Sequence, residues 1–147
     1  SRASLEAGIR LERSLEVPID AGLAPDTGAA RAMEGILDGG GPRPVAVSAF
    51  NAAAALAAMR VCLARGLRVP EDIALVGFDD IPGAAHAAPP LTTLAVDKEA
   101  LGRRGVELLL ADAPEETEIR LPVRLIERAS SSAAAHAPRP LTPVIAS

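Results

Sequence analysis

Two short apolar runs in this sequence each end in polar groups: Val45 to Phe50 is followed by Asn51, and Ile73 to Phe78 by Asp79 and Asp80. An amide and a carboxylate at neighbouring strand ends can donate to and accept from a polyhydroxylated or heterocyclic ligand. Both groups also have a plainer use. Asn51 can cap the helix that follows it, and Asp79 or Asp80 can cap the next turn. The two uses do not exclude one another. The adjacent carboxylates could suggest acid–base or metal chemistry, but neighbours on a strand point to opposite faces. A metal site would also want further carboxylates or histidines nearby. His86 lies six residues on in an Ala-rich loop and His136 in a Pro-, Ser- and Ala-rich tail, so neither is assigned as a ligand. No Ser-His-Asp order, phosphate-cradling glycine loop or nucleophile elbow is present. The expectation is therefore a protein that is not an enzyme, with no catalytic residues, no metal and no cofactor. Cys62 sits among apolar neighbours and reads as a buried structural thiol.

The elements that must position these groups follow from periodicity. The runs Val45–Phe50 and Ile73–Phe78 are nearly unbroken, the pattern of strands buried on both faces in a parallel sheet. Between them, Leu56, Met59 and Leu63 at helical spacing mark a helix that Asn51 caps and Gly66 stops. This strand–helix–strand unit of about 34 residues fits a βαβ crossover. In open parallel sheets ligands bind beyond the carboxyl ends of the strands, where Asn51 and Asp79 fall. Upstream, Val17-Pro18-Ile19 reads as a short strand, and Asp26 or Thr27 as the cap of a helix over Ala29–Leu37 that Gly39-Gly40-Gly41-Pro42 ends. Downstream, Ile81–Pro90 reads as a loop and Leu91–Val96 as extended. Asp97 caps a helix to Ala111, and Ile119–Glu127 is a last strand. Gly102 and Gly105 each cost that helix about 1 kcal/mol, which a closely packed neighbour would explain. The fold class is α/β with a parallel, doubly wound sheet.

Composition bounds the partners. The 147 residues carry 15 basic groups (Lys98 is the only lysine) against 19 acidic ones, a net charge of −4. That lacks the basic excess of a nucleic-acid binder. Phe50 and Phe78 are the only aromatic residues, which excludes an aromatic cage, a base-stacking platform or a membrane-interface belt. A single cysteine excludes an intrachain disulfide and a Cys-rich zinc site, and suits a reducing, cytoplasmic setting. No signal peptide and no uncharged apolar stretch of membrane-spanning length is visible, so no membrane partner is expected. The chain does not begin with Met and reads as a fragment or a processed chain.

The stretch Arg65-Gly66-Leu67-Arg68-Val69-Pro70-Glu71-Asp72-Ile73-Ala74-Leu75-Val76-Gly77-Phe78-Asp79-Asp80, then Pro89-Pro90-Leu91-Thr92-Thr93, resembles the C-terminal sensor half of the lactose-repressor (LacI/GalR) family. Leu121-Pro122-Val123-Arg124-Leu125-Ile126, with Arg128 and Ser130, resembles that family's closing strand. The resemblance runs over roughly residues 5 to 132. It implies an incomplete periplasmic-binding-protein-like type I fold: 1–93 as part of the C-terminal lobe, 94–112 as a crossover and helix of the other lobe, and 113–130 as the closing strand. The Pro-, Ser- and Ala-rich residues 131–147 read, from composition, as a disordered or loosely attached tail. The resemblance also implies a cytoplasmic transcriptional regulator that senses a sugar-like or nucleobase-like effector in a cleft between lobes. Operator DNA would be bound only through an N-terminal helix-turn-helix outside these residues. A homodimer or higher oligomer is expected. The ligand contacts implied are Asn51, Asp79 and, more loosely, Leu23, with Phe50 and Phe78 beside the first two. Asn51-Ala52 departs from the family's usual Asn-Asp, and the aromatic residue that often stacks on a sugar near the Leu23 position is missing. The alternative on the same fold is a sugar-type solute-binding protein of an ABC importer.

Overall fold

A computed structural model describes residues 17–18, 22–39, 46–111 and 118–132. Its elements follow in chain order: α1 (Pro25–Asp38), β1 (Ala46–Ser48), α2 (Ala52–Ala64), β2 (Ala74–Phe78), the single-turn α3 (Pro82–His86), β3 (Thr92–Val96), α4 (Lys98–Leu110) and β4 (Val123–Ile126). The strands form one sheet in the order β1-β2-β3-β4. β1, β2 and β3 are parallel, with Ala46 opposite Ala74 and Val76 opposite Thr92, while β4 runs antiparallel to β3 with Leu94 opposite Leu125. The α/β class and the mostly parallel sheet agree with the sequence reading.

The core is built from small residues. Along α2, Ala52, Ala54, Ala55, Ala57, Ala58, Met59 and Cys62 are buried, so its alanine flank packs inward while Leu63 stays exposed. Small side chains let helix and sheet approach closely. A Cβ on Gly77 would lie 3.0 Å from the Ala52 Cα and 3.2 Å from both the Ala55 Cβ and the Leu91 Cδ2. Met33 of α1, Ala84 of α3, Ile73, Leu75 and Leu91 complete this layer.

α2 ends in a Schellman motif. Gly66 takes a left-handed φ of 74°, the Leu67 N–H donates to the Cys62 carbonyl and the Gly66 N–H to the Leu63 carbonyl, each at 3.0 Å. α1 and α2 run side by side in the same direction. Ala29 packs with Ala54 and Ala57 near their starts, and the Arg65 guanidinium meets the Asp38 carboxylate at 2.7 Å near their ends.

Several expectations are corrected. β1 and β2 are not buried on both faces. β1 is a margin of the described sheet with Ala46 and Ser48 exposed, and β2 alternates, burying Leu75 and Gly77 against α2 while Ala74, Val76 and Phe78 are half-exposed. β1 ends at Ser48, so Phe50 lies in the bend beyond it and is 58% exposed. α1 begins four residues earlier than Ala29. Its N-cap is Ala24 with Pro25 at the first position, and neither Asp26 nor Thr27 caps it. Pro25 is pre-set for a helix start, where its missing N–H costs nothing. Within the expected loop Ile81–Pro90, Pro82 likewise starts α3. The last strand is shorter than Ile119–Glu127, because Pro122 has no N–H to give a ladder. Val17 and Pro18 are not in a strand, and Ile19 lies outside the described residues, as does the expected tail beyond residue 132.

Asp97 does cap α4, its Oδ1 accepting the Ala100 N–H at 2.8 Å. Yet α4 has no buried residue, and a Cβ at Gly102 or Gly105 would meet nothing within 4 Å. The close neighbour expected at those glycines is absent among the described residues. A helix packed on the sheet returns the chain to the amino ends of the strands. α4 does not pack there, and β4 enters from the carboxyl end, antiparallel.

Candidate functional site

The parallel strands carry Asn51 and Asp79 to the same end of the sheet. β1 and β2 are adjacent, and the Ala49 N–H continues their pairing by donating to the Val76 carbonyl at 2.9 Å. Asn51 lies two residues past Ala49 and Asp79 three past Val76, on neighbouring strands about 4.8 Å apart. Because α1 starts beside the start of α2, the bend holding half-buried Leu23 falls at this end of the sheet too. Of the two rings, Phe78 is half-buried on the sheet face turned away from α2, and Phe50 stands at the rim.

Asn51 performs its plainer task. Its backbone is extended (φ −149°, ψ 170°) and its Oδ1 accepts the Ala54 N–H at 2.8 Å. Its amide nitrogen has no partner among the described residues. Capping consumes the acceptor and leaves the donor free, so the two readings of Asn51 stay compatible.

Asp79 and Asp80 divide their labour, and neither caps α3, whose N-cap Ile81 receives no side-chain bond. Both have left-handed backbones, with φ of 83° and 39°. The Asp80 Oδ1 accepts from the Arg128 Nη1 at 2.7 Å and from the Thr93 Oγ1 at 2.8 Å. The hydrogen bond from Arg128 holds the Asp80 carboxyl below the ordinary carboxylate value. The Thr93 bond and the charges of Arg128 and Arg124 add to it, and partial burial opposes. The Asp79 carboxylate has no partner among the described residues, while its backbone is tied on both sides: its N–H donates to the Leu94 carbonyl and its carbonyl accepts from the Lys98 Nζ, each at 2.9 Å. The rim therefore presents a free amide donor and a free carboxylate, and can hold a ligand rich in hydroxyls or ring nitrogens.

Behind the rim, the closing segment is stitched into the sheet. Ser130 is fully buried, its Oγ accepting the Thr92 N–H at 2.8 Å and donating to the Leu75 carbonyl at 2.6 Å. Its backbone takes the Leu75 N–H and gives its own N–H to the Pro90 carbonyl, both at 2.9 Å. Ser130 thus fills the gap between β2 and β3 where their ladder has not yet begun. No local pattern in the sequence marks Thr93, Lys98 or Arg128 as part of this site. A lone lysine directly after a cap is a weak signal, and 48 residues separate Arg128 from Asp80. Cys62 is buried as expected, and burial pushes its thiol up from the ordinary value. Among the described residues no group of three or more His, Cys, Asp or Glu could hold a metal ion, and no helix is long and apolar enough to cross a membrane.

The periplasmic binding protein-like domain family matches residues 2–131. The transcriptional repressor PurR of Aliivibrio fischeri is 47% identical over 68 residues, 46% of this chain and 20% of the repressor. The transcriptional regulator CelR of Thermobifida fusca is 41% identical over 128 residues, 84% of this chain and 35% of that protein. Among solved structures, a complex of the transcriptional regulator CelR with cellobiose superposes with a TM-score of 0.75 at 34% identity, over 88% of this chain and 40% of that one. The lac repressor dimer bound to operator and the anti-inducer ONPF superposes with a TM-score of 0.63 at 32% identity, over 71% of this chain and 37% of that one. The chain thus spans about a fifth of the PurR relative and about a third of CelR.

Proposed function

The chain belongs to the periplasmic binding protein-like family, in its LacI-type branch, and from that premise we propose that it forms one wall of an effector cleft in a transcriptional regulator. The effector is a small sugar-like or nucleobase-like molecule, contacted by Asn51 and Asp79, with Leu23, Phe50 and Phe78 beside them. The observation that carries this reading is the pairing at one rim of a free amide donor and a free carboxylate, on adjacent strand ends where open parallel sheets bind ligands. α4 supports a second, facing lobe. It leaves the sheet, buries none of its residues and exposes Leu101, Val106, Leu109 and Leu110. Operator DNA is contacted by a helix-turn-helix outside these residues, which suits a net charge of −4 here. The regulator is cytoplasmic, works as a homodimer or higher oligomer, and does no catalysis.

Import is the other use of this fold. The relatives named above are regulators, which favours regulation over a solute-binding role. Calorimetric titration of cellobiose, lactose and adenine into the intact regulator, wild type and Asp79→Asn, tests the site. A probe that binds the wild type and is weakened tenfold or more by Asp79→Asn is expected, since a hydrogen bond to a charged group contributes about 1.5–3 kcal/mol. Binding of every probe unchanged by Asp79→Asn and by Asn51→Ser would overturn the assignment.

A further inference from the structure

Asp79 is held in a conformation that its own chemistry does not favour. It and Asp80 are consecutive side-chain-bearing residues with left-handed φ, a region that crowds the Cβ of any L-residue, although Asp tolerates it better than most. Something outside the turn must keep it there, and the strongest tie comes from the end of the described chain. The Arg128 Nη1 donates at 2.7 Å to both the Asp80 Oδ1 and the Leu91 carbonyl, and Thr93 adds its hydroxyl to the same Asp80 oxygen. The two partners' side chains are 17% and 21% exposed, so water competes weakly for the pair. Arg128 is itself locked: its N–H donates to the Thr92 Oγ1 and its carbonyl accepts from that hydroxyl, both at 2.9 Å. The tie on the other side, Lys98 to the Asp79 carbonyl, is exposed and correspondingly weaker.

We infer that Arg128 is a positioning residue for the effector site: by gripping Asp80 from the closing segment, it keeps Asp79 in the left-handed turn that presents a free carboxylate at the rim. Arg128 does not touch the effector. It determines the shape of the turn that does, so effector affinity depends on a segment that follows β4. The inference rests on the reading of Asp79 as an effector contact, and its test separates the two.

Amide hydrogen exchange on the chain without effector reads the turn directly through the Asp79 N–H, which bonds the Leu94 carbonyl. In Arg128→Met this amide is expected to exchange roughly tenfold faster or more, with the amides of Ala52–Ala64 unchanged, as follows from losing a charged hydrogen bond. Arg128→Lys restores part of the protection. Asp80→Asn keeps the shape and one acceptor oxygen, and gives the same local signature should the Met variant not fold. In the intact regulator, calorimetric affinity for cellobiose, lactose or adenine, whichever the wild type binds, falls by a comparable factor in Arg128→Met and recovers in part in Arg128→Lys. Unchanged Asp79 exchange in folded Arg128→Met overturns the inference whether or not any probe binds. So does unaltered affinity in Arg128→Met alongside lost binding in Asp79→Asn. Affinity insensitive to Asp79→Asn would sink the effector reading instead, and the exchange measurement would still decide the turn.

Discussion

Removing one hydroxyl from Ser130 should cost this fold more than most single changes. The Oγ is fully buried and serves two strands at once, taking the Thr92 N–H at 2.8 Å and giving its proton to the Leu75 carbonyl at 2.6 Å. In Ser130→Ala the Thr92 amide, on a residue only 1% exposed, loses its acceptor with no water to replace it. An orphaned buried donor costs about 1–3 kcal/mol, and loss of the second bond adds about 0.5–1.5 kcal/mol. The expected destabilisation is therefore about 2–4 kcal/mol, a large share of the 5–15 kcal/mol that holds an ordinary domain together. The chain has no Trp or Tyr, so unfolding is followed by far-ultraviolet circular dichroism in urea. With a slope of about 1.5 kcal/mol per molar urea, the midpoint should fall by roughly 1–3 M with the slope unchanged. Ser131→Ala is the control. It removes a hydroxyl that only donates to the Thr92 Oγ1 from a half-buried position, and should cost less than about 1 kcal/mol. A Ser130→Ala loss no larger than that of Ser131→Ala would refute the reasoning, because it would mean that the two strands close over the gap unaided.

Gly77→Ala should destabilise the chain by about 1–3 kcal/mol in the same assay, because the new methyl meets the Ala52 backbone at 3.0 Å and backbone cannot swing aside. At Asn51, Ala and Ser separate capping from ligand contact. Asn51→Ala should cost about 0.5–2 kcal/mol of stability, whereas Asn51→Ser keeps a capping oxygen and the stability but loses the free amide donor, so that only calorimetric effector affinity falls. The hydrogen bond from Arg128 holds the Asp80 carboxyl below its ordinary value when folded, so the folded state binds fewer protons than the unfolded one near that ordinary value. Its contribution is complete above that value and is lost as the pH falls through the lower folded value. Urea midpoints measured from pH 6 to pH 3 should therefore drop less steeply in Asp80→Asn than in the wild type, and parallel profiles would contradict the Arg128 pairing.

Where a feature depends on a few consecutive residues, it was legible in advance. The Asn51 and Asp97 caps, the stop at Gly66, the strands around Val76 and Leu94 and the burial of Cys62 all follow from local rules: a short polar side chain before a helix, a glycine where φ turns positive, an apolar run between turns. The family resemblance marked Asn51 and Asp79 as belonging together. Three other matters were decided only by the tertiary arrangement. The burial of β1 and β2 on one face depends on which elements lie beside and above them, and that is absent from their own six-residue patterns. The antiparallel course of β4 depends on where α4 leaves the sheet. The separate fates of Asp79 and Asp80, identical in type and adjacent in sequence, are settled by Arg128, 48 residues away from Asp80. Local sequence dictates backbone conformation and capping because those interactions span a turn or less. It cannot dictate which of two carboxylates is paired and which is left free, because that choice is made by a partner brought near only when the sheet closes.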